Sequence, residues 1–242
     1  MIIPDFVREE LQRMGIEVQE SALDQMARFL EILLITNQNF NLTAARDIDA
    51  AWRRLILDSL TLLPSLDDIA PGGVSANTID IGSGGGVPGI PLAIARPDLS
   101  FILLEAVGKK TIYLRRAVEH LKLGAVTVIE DRAENLGQDP AHRNHYDLAF
   151  SRAVGSVAEV LEYSLPLLKV GGRILAMKGA KAERELGEAS DALLVLGGGD
   201  VKILEAYPHE PDRNLVIIDL VKQKPTPTTY PRRPGVPKRS PL

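Results

Sequence analysis

An open α/β sheet, mainly parallel, preceded by an N-terminal helical extension and closed by an antiparallel hairpin, is the fold these 242 residues predict. Three observations carry that expectation. From residue 78 onward, short runs rich in Ile, Leu and Val alternate with amphipathic helical segments, the rhythm of strands covered on both faces by crossing helices. The first run leads into a glycine-dense turn, Asp80-Ile81-Gly82-Ser83-Gly84-Gly85-Gly86-Val87-Pro88-Gly89. The last two runs, 201–207 and 214–221, are joined by Pro208-His209-Glu210-Pro211-Asp212, too short and proline-broken for a helix, so they pair as a hairpin.

Residues 1–70 read as helical. Leu23, Met26, Ala27, Leu30, Leu33 and Leu34 recur at three- and four-residue steps and make one apolar stripe, with Ser21 as the expected N-cap. A polar break at Asn39-Phe40-Asn41-Leu42-Thr43 precedes a second helix, capped by Asp47 and ended by Pro64. This block holds twice as many acids as bases, which suits a cap over the sheet better than an RNA cradle. Pro71-Gly72-Gly73 reads as a linker into a main domain spanning 71–223. There, strands are expected at 78–81, 100–104, 126–129, 147–150 and 173–177. Helices are expected from Pro88, at 109–121, 157–168 and 183–196, with Gly171-Gly172 as the turn into the fifth strand.

Composition narrows the chemistry. With no cysteine, the chain has no disulfide, thiolate metal site or thiol nucleophile, in keeping with a reducing cytoplasm. Its four histidines make a metal site an unpromising expectation; His142 and His145 fall in a polar loop. No apolar run approaches a membrane span, and Met1-Ile2-Ile3-Pro4-Asp5 lacks the basic flank of a secretory signal. Charge is unevenly placed: residues 224–242 hold five of the 28 bases and none of the 32 acids, leaving the body at −9. This basic, Pro-rich tail is expected to be flexible and to meet a polyanion; the blander reading is a solubilising tail.

The turn after the first strand carries the chemical reading. Glycines let backbone approach a ligand closely, and the following helix start offers free N–H groups. Asp80 would repel a phosphate but suits a cationic amino group, such as that of S-adenosylmethionine. Gly84, Gly86 and Gly89 also satisfy the dinucleotide pattern, so a nicotinamide oxidoreductase is an alternative. The reversed pair at the sheet's end favours the methyltransferase arrangement. Ligands bind beyond the carboxyl ends of the strands in such sheets. That rule selects the turn with Gly82 and Gly84, and Glu105, Ala106 and Val107 after the second strand. It adds Ala133 and Glu134 after the third, Arg152 after the fourth and Lys178 after the fifth. Glu105 suits ribose hydroxyls, with a helix-capping acid as its bland alternative. Glu134 is as readily a solvated surface acid, and Arg152 a structural salt bridge.

At these residues the chain resembles the bacterial small-subunit rRNA guanine-N7 methyltransferase family, known as RsmG or GidB. The resemblance rests on Asn41-Leu42-Thr43, Ile56-Leu57-Asp58-Ser59, Asp80 to Pro91, Glu105 with Lys109-Lys110, Arg132-Ala133-Glu134, Ser151-Arg152-Ala153 and Lys178-Gly179, in order along nearly the whole chain. The tail motif from Tyr230 to Lys238 also resembles that of many members. The resemblance implies a class I S-adenosylmethionine-dependent methyltransferase fold, Rossmann-like, with cofactor contacts at Gly82, Val87, Glu105 to Val107, Ala133, Glu134 and Arg152. One departure is Leu55, where the family usually has histidine.

The reaction so implied is methyl transfer to N7 of guanine 527 in the 530 loop of 16S rRNA, by a cytoplasmic protein acting as a monomer without metal. Arg152 and Lys178 are expected on the guanine edge, and Arg232 and Arg233 on RNA phosphates. Two further alternatives share parts of this reading: a small-molecule methyltransferase, and a non-catalytic ribosome-assembly RNA binder.

Overall fold

In the computed structural model, which describes residues 3–72, 74–210 and 212–242, the strands form one seven-stranded sheet. They are β1 (Asn77–Ile81), β2 (Ser100–Glu105), β3 (Val126–Glu130), β4 (Tyr146–Arg152), β5 (Leu168–Lys178), β6 (Gly198–Glu205) and β7 (Val216–Lys222). Their order is β3-β2-β1-β4-β5-β7-β6, parallel from β3 to β5, with β7 antiparallel to both β5 and β6. The chain crosses from β3 on one side of β1 to β4 on the other. This reversal puts the crevice where a ligand would bind at the carboxyl ends of β1 and β4. Met1, Ile2, Gly73 of the expected linker and Pro211 of the hairpin connection lie outside the described residues.

Strand alternation builds two cores. Phe101, Leu103, Leu148, Phe150, Leu175 and Met177 face one layer; Ile79, Ile81, Leu104, Ala149, Ile174 and Ala176 face the other. Phe101 and Phe150, from the strands flanking β1, stack with ring centroids 6.2 Å apart. α6 (Gly89–Ala95) and α7 (Gly108–His120) cover the first face. The second is covered by α8 (Ala133–Leu136), α9 (Val157–Ser164), α10 (Ala182–Glu188) and α11 (Ser190–Leu196).

The N-terminal extension comprises α1 (Asp5–Met14), α2 (Glu20–Asn37), α3 (Ile48–Ala51), a π-helical stretch (Trp52–Leu57), α4 (Asp58–Leu60) and α5 (Leu63–Ile69). The α2 stripe is buried as its spacing requires, except that Leu34 is only half-buried. It joins the core cluster that contains Leu92 and Leu103, so extension and sheet share one hydrophobic interior. Asp47 caps α3, its Oδ1 accepting the Ala50 N–H at 2.8 Å. Ser21 is not a cap: α2 starts one residue earlier, after an extended Gln19. Pro64 does not end a helix but sits in the first turn of α5, where its missing N–H has no intrahelical acceptor to satisfy. The expected 183–196 helix breaks at Ala189. Gly171-Gly172 forms a bulge within β5 rather than a turn before it, with Gly171 at φ +88.

The expectation of a flexible tail is corrected. Residues 224–242 lie docked across α8 and α9 and end in α12 (Val236–Arg239). Arg143 donates to the carbonyls of Thr226, Pro227 and Tyr230 at 2.8–3.1 Å, and Gln138 to those of Thr228 and Pro231. The Glu162 carboxylate, 1% exposed, receives the Arg232 backbone N–H at 2.8 Å and its guanidinium at 2.6–3.1 Å. A buried carboxylate needs such a partner, and tail prolines reduce the entropy lost on docking. Among the described residues no helix is long and apolar enough to cross a membrane.

Arg232→Ala leaves Glu162 buried without a counter-charge and should cost about 3 kcal/mol in urea unfolding, the low end for breaking a buried pair because Arg232 is partly exposed. The Glu162→Leu/Arg232→Met double variant should recover most of that loss. An unchanged urea midpoint in Arg232→Ala would mean the tail is undocked in solution.

Candidate functional site

The glycine turn leaves β1 at the switch point with Glu105 on one side and Arg152 on the other, because Ile81 pairs with Leu104 of β2 and with Ser151 of β4. Gly82 and Gly84 take φ +70 and +54, the left-handed region where a side chain is strained. The Gly82 and Ser83 N–H groups both donate to the Leu104 carbonyl, folding the turn back over β2. The middle of the turn is braced by the extension. A Cβ on Gly85 would stand 3.1 Å from the Leu42 carbonyl and 3.3 Å from Leu33, while Tyr113 donates to the Gly85 carbonyl at 3.2 Å.

Asp80 has a different place from the one the sequence suggests. It is 1% exposed beneath the turn, and its Oδ2 accepts the Gly89 N–H at 3.1 Å, pinning the start of α6. Burial pushes its carboxyl up to about 7, and Oδ1 has no hydrogen-bond partner. Its visible role is to anchor the loop from below.

Glu105 is the bridge between two loops. One carboxylate oxygen accepts the Gly84 N–H and the other the Val107 N–H, each at 2.9 Å. Each oxygen retains a lone pair for a further donor. Ala106, Val107 and Gly82 are exposed, and Val87 is half-buried. Ala133 is buried at the start of α8. Glu134, 4% exposed, is neither solvated nor free: it accepts the Gly235 N–H of the tail at 2.8 Å.

Arg152 closes the other side. Its Nη2 donates to Asp58 at 3.0 Å, while Nη1 is buried without a partner. The next residue, Ala153, adopts φ +56, an uncommon conformation for a side-chain-bearing residue and one that collects at functional sites. Lys178 is engaged by Glu185 at 3.0 Å and by the Gly155 carbonyl. Arg232 is committed to Glu162, so its expected part as a free phosphate-binding cation is corrected. Arg233 is exposed beside it.

The residues that sequence reasoning left without a role surround Arg152. Asp58 accepts from Arg152, from Arg213 at 2.9 Å and from the Tyr207 hydroxyl at 3.0 Å. Only the position of Asp58 inside a recognisable motif hinted at it; Arg213 and Tyr207 gave no local signal. Leu55 is buried in the core, 4% exposed. An open cleft of about 620 Å³, lined by Arg53, Arg54, His209, Glu210, Asp212 and Arg213, adjoins this cluster. A second cleft, of about 730 Å³, opens near the amino ends of β2 and β3, away from the glycine turn. Glu10, His209 and Glu210 approach with ligand-like spacing, but His209 already pairs with Glu10 at 2.6 Å and Glu210 with Arg213 at 3.5 Å.

A sheet of order 3-2-1-4-5-7-6 with a glycine turn after β1 and an acid ending β2 defines a class I S-adenosylmethionine-dependent methyltransferase fold. Solved structures agree at the level of fold. A Methanococcus maripaludis protein described as an S-adenosylmethionine-dependent methyltransferase is 17% identical, with TM-score 0.54, over 74% of this chain and 91% of that one. An MtNAS mutant in complex with S-adenosylmethionine is 15% identical, with TM-score 0.55, over 83% and 72% of the two chains. Nearer relatives are both called ribosomal RNA small subunit methyltransferase G. The Chloroflexus aggregans protein is 46% identical, covering 94% of this chain and 93% of its own, and the Pelotomaculum thermopropionicum protein is 39% identical, covering 100% and 99%. The profile described as rRNA small subunit methyltransferase G, GidB, matches residues 22–216, and the chain belongs to that family.

Because the native Asp80 carboxyl binds its proton up to about pH 7 and the unfolded one only to about 3.8, this group adds stability as pH falls from 8 to 6. Relative to Asp80→Asn, the wild type should gain on the order of 1 kcal/mol over that interval. Parallel denaturant curves at the two pH values check it; a constant difference between the proteins contradicts the buried, shifted carboxyl.

Proposed function

We propose that this chain transfers a methyl group from S-adenosylmethionine to N7 of a guanine in 16S rRNA. One observation carries the reading: the glycine turn, Glu105 and Arg152 converge at the switch point of a chain that small-subunit rRNA methyltransferases match almost end to end. The residues fit the cofactor. Glu105 has lone pairs left for ribose hydroxyls, Gly82 and Gly84 leave room for close approach, and Ala106, Val107 and Ala133 offer an apolar edge for the adenine. Bound there, the cofactor supplies an electrophilic methyl on a sulfonium. Asp80 is read as the anchor of this cradle, holding the start of α6 beneath it through Gly89.

The chain offers positioning more than proton transfer. Guanine N7 carries an exposed lone pair, so the acceptor needs no general base, and alignment can supply roughly 7–11 kcal/mol of barrier reduction. The free Nη1 of Arg152 suits the guanine O6 edge; Lys178, partly engaged, adds positive charge beside it. The N7 edge is inaccessible in the deep groove of A-form RNA, so the target base sits in a loop or is flipped out. Arg233, Lys238 and Arg239, exposed on the docked tail, face solvent and suit phosphates in a salt-sensitive way. The protein is read as a cytoplasmic monomer.

Incubating purified protein with S-adenosylmethionine and small subunits that lack the modification should add one methyl group, located by mass spectrometry of RNA fragments as 7-methylguanosine in the 530 loop. Unchanged RNA mass would favour a non-catalytic binder, and a methyl at another atom would overturn the N7 assignment.

A further inference from the structure

We propose that Asp58 is a positioning residue that, braced by Arg213 and Tyr207, fixes Arg152 so that its unpartnered Nη1 faces the methyl acceptor. The inference rests on the methyl-transfer reading above and assigns a role to a motif which that reading does not use.

Three chain segments meet here. Asp58 begins α4 directly after the π-helical stretch, an irregularity frequent at functional sites. Its Oδ2 takes the Arg152 guanidinium from the end of β4. Its Oδ1 takes the Tyr207 hydroxyl, from beyond β6, and the Arg213 guanidinium, from the connection to β7. Arg213 is itself held: its guanidinium carbon lies 3.5 Å from the centre of the Tyr207 ring, and its Nη2 also donates to the Arg53 carbonyl at 2.8 Å. With three donors, Asp58 is well satisfied, whereas Arg152 is only half used. A buried Nη1 without an acceptor costs free energy unless a ligand supplies one. The left-handed Ala153 next to it marks a backbone held in place by its surroundings. Glu210, 3.5 Å from Arg213, balances the second guanidinium, so what Arg152 has left to offer is the Nη1 donor itself, which suits a carbonyl acceptor such as guanine O6.

The test is a double-mutant cycle on methyl transfer to small subunits, read as kcat at saturating S-adenosylmethionine, with the fold checked by circular dichroism. Asp58→Asn should lower kcat roughly 100-fold, as expected for a misplaced group. Adding it to Arg152→Ala should lower kcat no further than Arg152→Ala alone, because both remove the same orientation. Millimolar guanidinium should restore turnover to Arg152→Ala but not to the double variant, since Asp58 is what would hold it. Arg213→Lys, a milder change that keeps the charge, should lower kcat less than Asp58→Asn and serves if Asp58→Asn does not fold. Wild-type turnover in a folded Asp58→Asn or Arg213→Lys, or losses that multiply in the double variant, would overturn the inference. An inactive wild type would instead overturn the methyl-transfer reading and this inference with it.

Discussion

The site depends on Glu105 holding two loops at once. At the mouth of the cleft Glu105 ties the turn after β1 to the start of α7, as Tyr113 of α7 ties the same turn deeper down through the Gly85 carbonyl. The carboxylate accepts one backbone N–H from each and makes them one surface. Two donors on a buried carboxylate also settle its own desolvation, so stabilising the loops and preparing a binding surface are one arrangement. Asp80 does the corresponding job from beneath, tying α6 to the turn through Gly89. The N-terminal extension presses on the same turn through Leu33 and Leu42. What reads as a peripheral cap in the sequence is therefore part of the site's support.

The C-terminal tail performs a similar service on the α8 side of the sheet. Glu134 lies in α8 next to Ala133, and the tail's Gly235 N–H holds its carboxylate inward. Arg232 and Arg143 secure the strap ahead of that contact. The bases left over, Lys224, Arg233, Lys238 and Arg239, are exposed. The tail thus divides its charges between holding the fold and facing solvent.

Much of this was legible in the sequence, for local reasons. Strands were found because alternation with helices is a short-range signal, and the strand-end rule placed Glu105 and Arg152 on either side of the turn. The hairpin followed from a connection too short for a helix. Errors arose where distant partners decide. Asp58 meets Tyr207 and Arg213 across 149 and 155 residues, a pairing no periodicity reveals. No local signal marks Glu162; only the fold shows it buried and in need of Arg232. Proline-rich composition described the tail's unfolded preferences and said nothing of the carbonyl acceptors awaiting Arg143. Pro64 was misread for a related reason: it is tolerated at the start of a helix as readily as after one.

The account stands on the Glu105 bridge being a cradle for a sulfonium nucleoside. Calorimetric titration of the purified protein with S-adenosylhomocysteine and, separately, with NAD addresses that most directly. One-to-one binding of the former, lost in Glu105→Ala, and none of the latter is the predicted result. Affinity for NAD alone, or S-adenosylhomocysteine binding indifferent to Glu105→Ala, would contradict it.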